Sequence, residues 1–229
     1  MLSKVTRLPA VMFHFDQILE YGGGTGDTAV TCRQLGFRGR HLIYDLRPSL
    51  LVQQMFLRSH GWPTYFVDLM DNEQLSRDQS LYLGRKTLMV PADLSGEVLA
   101  KAVSDDRVIL KKSLFIATFS LSESPLPDRE KVLTSIKGFA VMLIRFAPTY
   151  DSIDNVQYFS EFANKLNNEY VTCMFGNVLG DETDHGGTPT KRYEIKHYTF
   201  VAMRKDVSPR GLWCDMDDPK FQDMMTRNG

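Results

Sequence analysis

Gln17-Ile18-Leu19-Glu20-Tyr21-Gly22-Gly23-Gly24-Thr25-Gly26-Asp27 is the stretch whose reading decides the fold. It begins as a short apolar strand closing on an acid and continues as a glycine-rich turn. Asp27 then opens a helical segment through Leu35. Glycine is needed where a backbone turns tightly and lies against a ligand with no Cβ between them. The helix that follows presents unpaired N–H groups at its start, where a polar ligand is held. A second apolar strand, His41-Leu42-Ile43-Tyr44, ends at Asp45. In a parallel sheet this sets a carboxylate beside the glycine turn, where a ribose diol donates to it. Strand, glycine turn, helix, strand and acid together predict a nucleoside-binding half-fold.

Outward from this stretch, Ala29, Val30 and Leu35 form the expected apolar face of the first helix. Pro48 suits a first helical turn, and Leu50, Leu51, Met55 and Phe56 fall at helical spacing up to His60. Thr64–Val67 is strand-like, but Asp68–Arg85 is polar and poorly periodic, so 61–86 reads as an insertion. Thr87–Val90 is the better third core strand. Leu114–Phe119 is continuously apolar or β-prone, as a central parallel strand should be. It opens into a turn over Ser120–Pro125, followed by a helix over Asp128–Lys137 and a buried strand over Phe139–Ile144. Ser152 is the expected cap of a helix reaching Asn167. Tyr170–Phe175 and Tyr198–Met203 are two further strands, separated by a long loop over 176–196 and followed by a tail over 206–229. Strands and helices alternate until two strands adjoin, which predicts a doubly wound, mostly parallel sheet with an antiparallel last strand.

The chain has 229 residues, 43% hydrophobic and 24% charged, enough for a single domain over 1–229 with one core. A net charge of −1 gives no indication of a nucleic-acid or membrane partner. Cys32, Cys173 and Cys214 lie far apart without a CxxC pattern and read as reduced thiols of a cytoplasmic protein. The apolar run Leu8–Phe13 is too short to span a membrane. Few residues precede the first strand, so cover over the ligand is expected from the later insertions, the tail, a second copy or a partner subunit.

Two nucleoside cofactors fit a glycine turn followed by an acid. Gly24-Thr25-Gly26-Asp27-Thr28-Ala29 satisfies the dinucleotide pattern G-x-G-x-x-A. Against it, Glu20 stands where that fold usually has an apolar residue, and no second βαβαβ half appears. Tyr82 and Lys86, the one Tyr-x-x-x-Lys match, fall too early for a reductase's catalytic pair. The arrangement resembles the class I S-adenosylmethionine-dependent methyltransferases, whose first motif is an acid, one residue, then G-x-G-x-G, here Glu20 to Gly26, with Asp45 as the second-motif acid. It is similar more closely to bacterial sugar O-methyltransferases, through the triple glycine, Asp45-Leu46-Arg47-Pro48 and Ser120-Leu121-Ser122-Glu123. It departs from their pattern at Asp27 and Arg47. The resemblance implies a Rossmann-like three-layer α/β/α sandwich with a seven-stranded sheet, S-adenosylmethionine as cofactor and a small-molecule acceptor.

It also implies roles. Gly22, Gly23, Gly24 and Gly26 would cradle the cofactor, Glu20 its amino-acid end, Asp45 its ribose and Asp93 its adenine. Phe119 and Ser120 would line the floor beside the sulfonium methyl. Glu123 is the candidate general base, since transfer to a hydroxyl needs its proton removed as the methyl moves; His185, in the long loop, is the second candidate. Each position also has a plainer reading: a tight turn for the glycines, a buried acceptor for Glu20, and helix caps for Asp45 and Asp93. Asp181, Glu182, Asp184 and His185 form a cluster capable of holding a divalent ion, such as some sugar methyltransferases use, and also read as a flexible acidic loop, the reading under which no metal is expected. N-methylation, a nicotinamide-dependent reductase and a non-catalytic cofactor-binding subunit stay open as alternatives.

Overall fold

The computed structural model describes residues 14–67, 86–93, 99, 103, 110–178 and 195–207. Strand β1 (Gln17–Tyr21) lies mid-sheet, buried on both faces along nearly its whole length. Helix α1 (Asp27–Gln34) leads to β2 (Arg40–Asp45), and α2 (Arg47–Ser59) leads to β3 (Thr64–Phe66) and then β4 (Thr87–Pro91). The chain then returns to the other side of β1 as β5 (Ser113–Thr118). Helix α3 (Leu126–Ser135), β6 (Val141–Phe146) and α4 (Asn155–Leu166) follow, with a small hairpin, β7 (Thr149–Tyr150) and β8 (Ile153–Asp154), before α4. Strands β9 (Tyr170–Val178) and β10 (Ile195–Arg204) close the sheet.

The sheet order is β3-β4-β2-β1-β5-β6-β10-β9. All pairings from β3 to β6 are parallel, and β10 runs antiparallel between β6 and β9. The doubly wound sheet and its antiparallel last strand are therefore as expected. One correction concerns the count: β3, inside the expected insertion, adds an eighth strand to the predicted seven. Thr64-Tyr65-Phe66 docks on β4 because that edge would otherwise leave a row of unpaired N–H and C=O groups.

Alternation along the strands sends two sets of side chains to opposite faces. One face packs Leu19, Leu42, Val90 and Phe115 against Val132 of α3 and Phe159 of α4. The other packs Ile18 and Ile116 near Cys32, and Ile43 and Met89 against Ala29 of α1 and Leu50 and Leu57 of α2. This is the three-layer sandwich. The expected apolar faces hold in part: Ala29, Val30 and Leu50 are buried, but Leu35, Leu51 and Met55 are not. Leu35 is 59% exposed and Met55 75%, while Arg33 and Gln53 turn inward. Polar partners decide this. Arg33 donates to the carbonyls of Gly39 (2.8 Å) and Lys86 (2.9 Å), and Gln53 has partners at the glycine turn described below. A second correction is the cap of α4, where Asp154, not Ser152, accepts from the Gln157 N–H at 2.9 Å.

A third correction concerns the cysteines. Cys32 is a buried free thiol, but Cys173 is disulfide-bonded, with its partner outside the described residues. Sequence separation says nothing of distance in space, and the cysteine argument for a reducing compartment falls away. Among the described residues, no helix is long and apolar enough to cross a membrane.

Candidate functional site

The strand order reverses between β1 and β5, and in an open parallel sheet the ligand crevice forms there, at the carboxyl ends of the strands. The glycine turn occupies this position. Gly22 N–H donates to the Tyr44 carbonyl (2.9 Å) and Gly26 N–H to the Gly23 carbonyl (2.8 Å). Gly22 has φ 69, and a Cβ there would lie 2.0 Å from Ser120 Oγ and 2.1 Å from Ser120 Cβ. A Cβ on Gly23 would lie 2.9 Å from Ile43 Cγ2. Gly24 differs. Its φ is 55, the sign that the first central position of a type II′ turn demands, and a Cβ there would meet nothing within 4 Å. Gly22 and Gly23 fit the turn against the protein, and Gly24 turns an open face outward. Gly26 then starts α1, whose first N–H groups lack intrahelical acceptors.

Asp45 stands beside the turn at the end of β2. Its Oδ1 accepts from Leu46 N–H (2.7 Å) and its Oδ2 from Gln53 Nε2 (2.7 Å). Gln53 Nε2 also donates to the Gly24 carbonyl (3.0 Å), so one amide ties the acid to the turn. Burial raises the Asp45 pKa, against the hydrogen bonds from Leu46, Gln53 and Gly23 that lower it. Leu46, not Asp45, is the N-cap residue of α2. Glu20 faces the α1 side of the sheet and is buried, its Oε2 3.0 Å from His41 Nε2 and its Oε1 without a partner. Burial, then the Glu20 carboxylate, pushes the nearby Cys32 thiol up to about 12. Asp93 is exposed and ion-paired with Arg47 at 2.8 Å.

The loop after β5 completes the crevice. Ser120 N–H donates to the Thr118 carbonyl (2.9 Å) across Phe119, whose φ of 69 makes this a γ-turn of the rare, strained hand. Ser120 Oγ reaches the Gly22 carbonyl at 3.3 Å, so this serine props the glycine turn. Ser124 Oγ donates to the Ser120 carbonyl (2.7 Å), which leaves the Tyr21 hydroxyl to donate to Ser124 (2.7 Å). Tyr21 stacks on Tyr44, ring centroids 5.5 Å apart, and burial raises both phenol pKa values. Arg129, fully buried in α3, pins the loop. It donates to the carbonyls of Ser122 and Ser124 (2.8 Å for the latter) and to Asn155 Oδ1 (2.7 Å). Glu123 is exposed, and among the described residues its carboxylate has no hydrogen-bond or ion-pair partner.

At the far side of the loop, the Arg145 guanidinium lies 5.3 Å from the Phe119 ring centroid, and the His197 ring meets Phe119 edge-on at 4.9 Å. The fold thus brings Gly22, Gly23, Gly24, Gly26, Asp45, Phe119 and Ser120 to one edge, with Glu123 on the same loop. Glu20 lies beneath that edge, and Asp93 at its rim. His185, with Asp181, Glu182 and Asp184, falls outside the described residues; among the described residues no His, Cys, Asp and Glu cluster could hold a metal. Sequence reasoning missed Gln53, Arg129, Arg145 and His197. Gln53 carried one signal, a polar residue between apolar helical positions, and the others carried none.

The fold is similar to that of the O-methyltransferase TomG from Streptomyces achromogenes, involved in tomaymycin synthesis and solved in complex with SAM. That likeness has 13% identity, covers 88% of this chain and 79% of the other, and has a TM-score of 0.51. The methyltransferase domain of bacterial CtHen1-CN is similar at 9% identity, over 83% of this chain and 91% of that one, with a TM-score of 0.50. At these identities the likeness establishes a shared architecture. No family model and no curated protein matches the sequence.

Proposed function

We propose that the chain is an S-adenosylmethionine-dependent methyltransferase acting on a hydroxyl of a small acceptor, a class that includes sugars. The observation that carries this reading is the open face of Gly24 beside the Asp45 carboxylate, the two joined through Gln53 at the strand-order reversal. The residues fit the cofactor's nucleoside. The Asp45 carboxylate accepts N–H groups from Leu46, Gln53 and Gly23 and, with about four acceptor sites, keeps one for a ribose hydroxyl. The first amides of α1 face the same turn. The likeness to TomG, which was solved with SAM, points the same way. When bound, S-adenosylmethionine supplies an electrophilic methyl on a sulfonium.

The protein's own part is to position and to move a proton. Supporting this, Glu123 lies on the Phe119–Ser124 loop, which is pinned by Arg129 and propped on Gly22, and it is exposed. Glu123 would take the acceptor's hydroxyl proton as oxygen attacks the methyl carbon. Holding the reactants in line supplies much of the rate. A reductase is disfavoured because Lys86 immediately precedes β4, at the opposite edge of the sheet from the crevice. Calorimetry of the purified protein tests the proposal. S-adenosylhomocysteine should bind, with NAD and NADP silent, and tighter binding of either dinucleotide would refute it.

A further inference from the structure

Arg145 is out of place for a structural residue. It sits near the carboxyl end of β6, exposed between buried Ile144 and Phe146, in register with Thr118 on one side and Thr199 on the other. Other arginines of the described fold have polar partners: Arg33 and Arg129 donate to carbonyls, Arg47 pairs with Asp93, and Arg204 with Asp206. Among the described residues Arg145 has no hydrogen-bond or ion-pair partner, and its guanidinium lies over the Phe119 ring. A guanidinium resting on an aromatic ring is attracted through that ring's face, while its N–H groups stay free to fork an oxyanion.

Phe119 is held at φ 69, a strained conformation for a bulky residue. Its ring is contacted by both the guanidinium and the His197 imidazole. His197 Nδ1 is buried without a partner, and its Nε2 makes no hydrogen bond. Two side chains, from β6 and β10, therefore meet around the ring of Phe119, and among the described residues none of their polar nitrogens has a partner. The place matters as much as the groups. Asp45, the glycine turn, Ser120, Arg145 and His197 follow the sheet order β2-β1-β5-β6-β10 along one edge. Neighbouring strands are about 4.8 Å apart, so Arg145 stands roughly 14 Å from Asp45, on the far side of the glycine turn from the ribose acid.

We infer that Arg145, stacked on Phe119 beside His197, binds an anionic group of the methyl acceptor, a carboxylate or a phosphate, so the enzyme selects acidic hydroxylated substrates. This rests on the methyltransferase reading, and its test is built to fail separately. Wild-type protein and Arg145→Met, which keeps an unbranched chain over Phe119, are first titrated with S-adenosylhomocysteine by calorimetry. Both are then titrated with benzoate and with inorganic phosphate, with and without S-adenosylhomocysteine, following the His197 ring signals by NMR.

At least one anion should bind the wild type, with affinity reduced tenfold or more in Arg145→Met and partly kept in Arg145→Lys. S-adenosylhomocysteine affinity should stay within threefold. Binding of benzoate alone identifies a carboxylate, and of phosphate alone a phosphate. Failure of both anions to bind the wild type, or equal binding by Arg145→Met, overturns the inference. A parallel loss of S-adenosylhomocysteine affinity overturns it too, by assigning Arg145 to the cofactor's own carboxylate. Failure of S-adenosylhomocysteine to bind the wild type sinks the cofactor reading instead, while the anion titrations without it still report on the corner.

Discussion

Gly22→Ala should damage the protein in two separable ways. The first is conformational: alanine at φ 69 costs about 1–2 kcal/mol relative to glycine. The second is steric. The new Cβ would lie 2.0 Å from Ser120 Oγ and 2.1 Å from Ser120 Cβ. A rotamer change moves Oγ but not Cβ, so relief needs the strand ends to separate, an overpacking cost of about 1–3 kcal/mol. The sum is about 2–5 kcal/mol, a fall of roughly 4–20 °C in thermal midpoint for a chain of this size. Adding Ser120→Gly removes both clashing atoms and should recover the steric part, less roughly 0.5–1 kcal/mol for the flexibility of the new glycine. Gly24→Ala is the control. With φ 55 and no atom within 4 Å of its Cβ, only the conformational cost applies, about 1–2 kcal/mol or roughly 2–8 °C. Its methyl would nevertheless intrude on the open face, so S-adenosylhomocysteine affinity should fall more than stability does. Thermal scans and calorimetry on the three variants and the wild type check this. A double mutant no more stable than Gly22→Ala would refute the account of Ser120 as the prop beneath the turn.

Asp45→Ala should weaken S-adenosylhomocysteine binding by about 1.5–3 kcal/mol, the range for hydrogen bonds to a charged group, with unchanged affinity marking the acid as merely structural. Because burial raises the Asp45 pKa, the protonated form is favoured by folding, and its stabilisation is lost as pH rises through the raised value. Ribose binding needs the ionised form, so affinity should fall on acidification, starting above the ordinary 3.8, and Asp45→Asn should flatten that profile. Parallel profiles for the two proteins would assign the dependence to another group. Arg129→Met leaves the Ser122 and Ser124 carbonyls and Asn155 Oδ1 without their donor, and should cost about 3–5 kcal/mol in thermal unfolding. A change below about 1 kcal/mol would mean that water replaces the guanidinium. Glu123→Gln should keep S-adenosylhomocysteine affinity yet slow transfer to an identified acceptor by roughly 10²–10⁴-fold. Turnover within about threefold of wild type would move the base to another residue, with His185 the next to test.

The sequence by itself determined the local chemistry of the site. A glycine turn after an apolar strand, and an acid ending the next, state the strand–turn–helix–strand geometry because both signals are local. Continuous apolar runs marked β1, β5 and β6 as central strands, since burial on both faces leaves no polar alternation. Local pattern set Ala29, Val30 and Leu50 toward the core but could not say that Arg33 and Gln53 would join them. That followed from Arg33 and Gln53 finding carbonyl and carboxylate partners on other elements. Nor could it show that Ser120, 98 residues away, occupies the space a Gly22 side chain would need. Arg129, Arg145 and His197 are ordinary residues in sequence, on elements brought together by the winding of the sheet. Tertiary structure alone placed one arginine beneath the loop after β5 and the other beside it, because such contacts are set by strand order and register, which local composition does not encode.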